Sequence, residues 1–142
     1  MVGYSGTPLP RKLGISPGSA VLVRHPPDDL DLQAVLVPWP TGARLLRRAS
    51  RSTSFPVVLV FAESAADLLA RLPDAIDRLD RSGAVWVAWP KKSSQRWRDG
   101  PRTLTEDVVR AHALSLGVVD VKVCAIDETW SGLKLVYRLA DR

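Results

Sequence analysis

Cysteine and histidine are almost missing from this chain, with Cys124 the single thiol and His25 and His112 the two imidazoles. One thiol cannot close an internal disulfide, and no Cys-x-x-Cys or His-x-x-x-His spacing exists, so no metal site is expected. Glycine-rich phosphate loops are missing as well: neither a Walker A pattern nor Gly-x-Gly-x-x-Gly is present. No apolar run approaches the ~20 residues that cross a bilayer, so no membrane partner is expected. The start, from Met1 to Gly6, has no basic stretch followed by an apolar core, and no signal peptide is read there. Together with the lone thiol this makes a reducing, cytoplasmic setting the expectation.

What is present is an ordinary globular composition, with 46% hydrophobic and 25% charged residues among 142. That length suits one domain, expected over 1–142, with residues 1–14 as a helical arm. The net charge of +5 is unevenly spread. Arg44, Arg47, Arg48 and Arg51 crowd one segment, 44–51, without an acid between them. Lys91, Lys92, Arg96, Arg98 and Arg102 crowd another, 91–102, against Asp99 alone. Such patches attract phosphate, so nucleic acid is one partner to consider; solvated loops are the plainer reading.

Three continuous apolar runs punctuate the chain: Ala20–Val23, Pro56–Phe61 and Ala84–Trp89. Runs without a polar face suit central strands covered on both sides. Ala43–Arg48 reads as a shorter strand with a basic tail, and a short helix is expected at about 28–36. Ser64, with Asp67 three residues on, is expected to cap a helix whose stripe is Leu68, Leu69, Leu72, Ile76 and Leu79. Pro73 predicts a kink or two abutting helices there, with Ser82-Gly83 as the stop. Thr103 and Glu106 have capping-box spacing for a second helix. Val119, Val121, Val123 and Ala125 alternate with more polar residues, which suits an edge strand at 118–126, open to pairing with a second copy. Leu133–Leu139 follows after a short turn and must run antiparallel to it.

Strands separated by helices indicate an α/β fold with a mostly parallel sheet. Numbered in chain order, the expected strand order is 2-1-3-4-6-5, the last strand antiparallel. Ligands of such sheets bind beyond the carboxyl ends of the strands. That rule collects His25, Trp89, Lys91, Lys92, Asp127, Glu128, Trp130 and Ser131 along one rim. Lysines there would supply charge to an anionic ligand and Trp130 a stacking face. Alternatively Asp127 or Glu128 pairs with a lysine, or caps the turn at Trp130. Trp97, among arginines, is read either as a partner anchor or as an indole folded back onto the sheet. No catalytic residue is assigned, since His25 has no paired nucleophile.

The blocks Gly3-Tyr4-Ser5-Gly6-Thr7-Pro8-Leu9, Val85-Trp86-Val87-Ala88-Trp89-Pro90-Lys91-Lys92, Leu104-Thr105-Glu106-Asp107-Val108 and Val119 through Lys134 carry a likeness. Through them the chain resembles a bacterial family of unknown function, the domain-of-unknown-function 3052 family. A weaker likeness, starting at Gly14-Ile15-Ser16-Pro17-Gly18, runs to S-adenosylmethionine-dependent methyltransferases. It implies a three-layer, Rossmann-like fold. It departs where those enzymes need a glycine-rich turn after the first strand, because Arg24-His25-Pro26-Pro27 stand there. Arg47-Arg48 stand where an acidic ribose-binding residue is needed. No cofactor is therefore expected, S-adenosylmethionine being disfavoured. The function expected is a non-catalytic module binding a protein partner or small anionic ligand, with a divergent methyltransferase-like enzyme and a nucleic-acid-binding protein as alternatives.

Overall fold

A computed structural model of the chain describes residues 6–50 and 52–142. Met1–Ser5, which begin the first block above, and Arg51 of the first basic patch lie outside the described residues. Six strands form one sheet: β1 (Ala20–Arg24), β2 (Arg44–Leu46), β3 (Phe55–Phe61), β4 (Leu79–Pro90), β5 (Val118–Ala125) and β6 (Trp130–Tyr137). Their spatial order is β2-β1-β3-β4-β6-β5, and β6 alone runs against the others. The expected order and direction therefore hold.

Helices cover both faces, which makes three layers. On one face α3 (Ala65–Asp77) and α5 (Glu106–Ser115) bury Leu68, Leu72, Ala75, Ile76, Val109 and Ala113 against the sheet. On the other, α1 (Leu9–Lys12) and α2 (Leu32–Val35) lead into Leu13, Ile15, Leu32 and Leu36. The Trp86 indole lies fully buried in that second layer, and its Nε1 donates to the Leu13 carbonyl (3.0 Å). This bond fastens the end of α1 to the middle of the sheet.

Several local expectations are corrected. Pro73 does not divide α3, because it lies on the face of exposed Leu69, where water can satisfy the carbonyl its missing N–H leaves. Leu69 is for the same reason outside the buried stripe. The helix ends at Arg78 and not at Ser82-Gly83, since Leu79 already pairs with Phe55 in β4. Gly83 sits inside that strand, and a Cβ there would meet the Pro56 carbonyl oxygen at 2.6 Å. The cap of α5 is Thr105, whose hydroxyl accepts from Val108 N. Thr103 instead accepts from Ala65 N at the start of α3.

In β5 the register slips between Asp120 and Lys122. The extra residue, Val121, turns the following side chains over. Val123 thus leaves the face of Val119, and Val121 and Val123 stay 53% and 48% exposed despite their alternation. β6 begins at Trp130, three residues before the expected start, and Leu139 falls in a 3-10 turn (Leu139–Asp141) with 80% exposure.

Gly83→Ala is expected to destabilise the fold by about 1–3 kcal/mol, the cost of overpacking against backbone. Urea unfolding should show a lower midpoint at unchanged slope.

Candidate functional site

The rim is built by the ends of β1, β3 and β4 together with the turn that enters β6. Trp89 pairs with Ser131 and Pro90 with Trp130 across the antiparallel ladder. Lys91 N then donates to the Thr129 carbonyl (2.8 Å). Asp127 closes the turn itself: its Oδ1 accepts from Thr129 N (2.8 Å) and Trp130 N (2.7 Å). Of the readings offered for the two adjacent acids, turn capping is the one Asp127 adopts. Glu128 beside it is exposed.

Successive residues of a strand face opposite sides, and this splits the rim. Trp130 turns toward the α1/α2 layer, where it is 2% exposed and meets Phe61 edge-on, ring centres 5.1 Å apart. An open stacking face on Trp130 is thereby corrected to a buried indole. Trp89 turns toward the α3/α5 layer and is 6% exposed, a core residue whose uncovered part forms the floor of a rim cleft.

The cleft on the Trp130 side holds about 480 Å³ and is lined chiefly by Asp29, Glu63, Arg96, Asp99, Asp127 and Trp130. Its centre is Arg96, from the short helix α4 (Gln95–Asp99). Arg96 Nε donates to Glu63 Oε1 and its NH1 to Asp29 Oδ2, both at 2.8 Å. Its guanidinium carbon stands 5.2 Å from the Trp130 ring centre, the geometry of a cation–π contact. Partial burial works against the charge of Arg96, but the Glu63 and Asp29 carboxylates more than offset it, and its pKa is raised. One side chain thus joins the loops after β1 and β3 to the start of β6.

The cleft on the Trp89 side holds about 440 Å³ and is lined by Lys91, Lys92, Thr105, Glu106 and Ser131 over Trp89. Arg110 draws the acids on its far wall away: NH1 meets Asp107 at 2.8 Å, NH2 meets Glu106, and Nε reaches Asp120 at 3.0 Å. Among the described residues neither Lys91 nor Lys92 has an ion pair. Lys92 Nζ lies 6.0 Å from the centre of the half-buried Trp97 ring. The exposed Lys92 thus lies over the face of that indole, at the outer limit of a cation–π contact.

His25 lines neither cleft. It is exposed, follows Arg24, which is paired with Asp74 at 3.0 Å, and takes a left-handed φ of 57°. Partial burial, then Arg71 and Arg24, lower its pKa from the ordinary 6.5. His112 is half-buried on α5, where no ligand role is visible. Burial pushes the half-buried Cys124 thiol up, with three lysines pulling weakly the other way. Among the described residues no group of acids, histidines or thiol is placed to hold a metal ion, and no helix is long and apolar enough to cross a membrane.

The residues that sequence reasoning missed are Arg96 as a clamp and Asp29 as its partner. Glu63 lies at the rim by its place just after β3. Arg96 carried no signal beyond its basic loop, because its two partners are 33 and 67 residues away.

Sheet order, the antiparallel last strand and the layering are those of the S-adenosylmethionine-dependent methyltransferase fold. Such an enzyme from Aquifex aeolicus superimposes with a TM-score of 0.61 at 10% identity, over 88% of this chain and 85% of that one. Magnesium protoporphyrin IX methyltransferase from Synechocystis PCC 6803, solved with bound SAH, superimposes at 0.57 and 9% identity over 86% and 75%. LepI in complex with SAM superimposes at 0.52 and 14%, over 96% of this chain and 40% of that one. These identities establish the fold alone. By its sequence the chain belongs to the family described as protein of unknown function (DUF3052), whose model matches residues 11–139. A search of curated proteins returned no match.

The residues present do not fit the cofactor that such a fold holds. After β1, where the backbone must come close to it, His25 places a side chain on a left-handed residue and Pro26-Pro27 follow. Glu63 and Asp29, two of the carboxylates at that end of the sheet, are both paired with Arg96.

Two outcomes follow from this geometry. In an NMR titration the His25 ring should show a midpoint below 6.5. The unfolded chain then binds this proton more readily than the folded one, so stability falls as pH drops through about 6.5 and levels off once the folded form is also protonated. His25→Gln should remove that part of the pH profile. Arg96→Met should lower stability by about 1–2 kcal/mol, less than buried pairs would cost because the carboxylates are partly solvated. The loss should shrink in high salt when followed by urea unfolding.

Proposed function

We propose that the chain is a non-catalytic α/β binding module that takes an anionic group, phosphate or carboxylate, in the cleft between Lys91, Lys92 and the start of α5. The observation that carries the reading is that neither lysine of that cleft has an ion-pair partner among the described residues. Two lysines without carboxylate partners face a wall whose acids are already held by Arg110. Two ammonium groups without ion-pair partners in a concave site attract an anion. Ser131 adds a hydroxyl at the same wall. The Trp130 cleft offers the opposite chemistry: its carboxylates outnumber its single guanidinium, which disfavours an anion there.

A second reading, a divergent methyltransferase-like enzyme, is favoured by the fold and opposed by the Arg96 clamp and the turn after β1. The two readings separate in one thermal-shift series with inorganic phosphate, nucleotides, phosphorylated sugars, S-adenosylmethionine and its homocysteine product. A bound anion at a hundred times its Kd adds about 2.7 kcal/mol, which raises Tm by several degrees in a domain of this size. That rise should vanish in Lys91→Ala/Lys92→Ala while the unliganded Tm stays put. No response to any anion, or a response unchanged in the double variant, rejects the anion site. A rise with S-adenosylmethionine or its product favours the enzyme instead.

A further inference from the structure

On the far side of the sheet from the lysine cleft, edge strand β2 combines three features that neither the rim nor the fold explains. The first is charge. Arg44, Arg47 and Arg48 are all exposed, and among the described residues none has a carboxylate partner. The second is an apolar slot of about 280 Å³ beside the strand, walled by Leu32, Leu36, Trp39 and Leu45 with Gln33 at its lip. Trp39 is 37% exposed, yet its Nε1 already donates to the Ala43 carbonyl (2.8 Å). The indole therefore offers the slot an apolar surface and keeps its polar tip occupied. The third is the open edge. Arg44 N donates inward to Ser19 O (2.8 Å), so alternation turns the amide and carbonyl of Leu45 outward, at the wall of the slot.

We infer that this edge is a docking surface for an acidic segment of a partner protein, laid in extended form along β2 with one bulky apolar side chain in the slot. Charge selects the partner. A second copy of the chain would bring its own three arginines against these, so self-pairing through β2 is repelled. An acidic segment neutralises them. The Leu45 amide and carbonyl supply a main-chain hydrogen-bonded pair of the kind that adds a strand to a sheet edge. The slot supplies the specific anchor: an aromatic or leucine side chain removed from water there is the usual source of binding energy at a small interface. Nucleic acid would satisfy the arginines as well, but phosphates and sugars leave an aliphatic slot unfilled.

The test pans a random peptide library on the intact protein. The expected consensus is a run of Asp and Glu around one Phe, Trp, Leu or Met. A synthetic peptide of that consensus, labelled for fluorescence anisotropy, should lose at least about tenfold in affinity, near 1.4 kcal/mol, when its apolar residue becomes Ala. The same loss is expected with the triple variant Arg44→Ser/Arg47→Ser/Arg48→Ser, whose circular dichroism and Tm should match the parent because all three side chains are exposed. Lys91→Ala/Lys92→Ala should leave peptide binding unchanged, which separates this surface from the anion cleft. Failure to enrich acidic–apolar sequences overturns the inference, as does a peptide indifferent to the triple variant or to loss of its anchor. Tighter binding of a mixed-sequence single-stranded oligonucleotide than of the best peptide, lost in the triple variant, reassigns the patch to nucleic acid and overturns it equally.

Discussion

Strand alternation across the β4–β6 tip is the constraint from which the chemistry of the rim follows. Once Pro90 pairs with Trp130 and Trp89 with Ser131, the two indoles must leave the sheet on opposite sides. Each becomes the floor of a different cleft. The charged residues above Trp130 are mainly acidic, those above Trp89 are two lysines and two acids, and the paired β4–β6 strands lie between them. A single ligand cannot treat the two as one pocket without wrapping over the tip. The segments 89–92 and 127–131, expected along one rim, are neighbours, but their indoles Trp89 and Trp130 face opposite sides of the sheet.

The crevice that this fold ordinarily opens to a ligand is here spanned by side chains. Arg96 ties together the loops after β1 and β3, and a cation–π contact holds it over Trp130. Each contact alone is modest because the groups are partly solvated. Their value lies in joining three strand ends through one planar group whose orientation every partner helps to set. The short helix α4 that delivers Arg96 has no buried residue of its own. The clamp and the Ser94 cap, rather than an apolar face, hold it in place.

The sheet was legible because its central strands are written as uninterrupted apolar runs, and because Ser64 marks the start of the helix between two of them. Strand order followed from handedness and from the short turn before β6. What was not legible is non-local. The bulge at Val121 leaves no mark in a sequence that alternates without fault, since only the pairing with β6 shows the slip. Leu79 and Gly83 read as helix end and stop, yet Phe55 recruits Leu79 into the strand. Thr103 has the capping-box spacing, yet its hydroxyl is taken at the start of α3 and Thr105 caps α5 instead. At the rim, the rule about carboxyl ends found the right neighbourhood but could not assign faces at the strand ends. Trp89 and Trp130 were placed by sequence position and corrected by burial, and Arg96 was invisible because both its carboxylates are distant in the chain.

Cys124 stands at the end of β5, its thiol half-buried against the α1 layer and held in its protonated form by that burial. A protonated thiol is a poor nucleophile, and here it is also the only one. An accessible cysteine introduced on an exposed loop would therefore react with maleimide reagents well ahead of the native thiol. Spectroscopic probes could then be placed singly along either cleft, with the native sulfur left in place to support the packing at the end of the sheet.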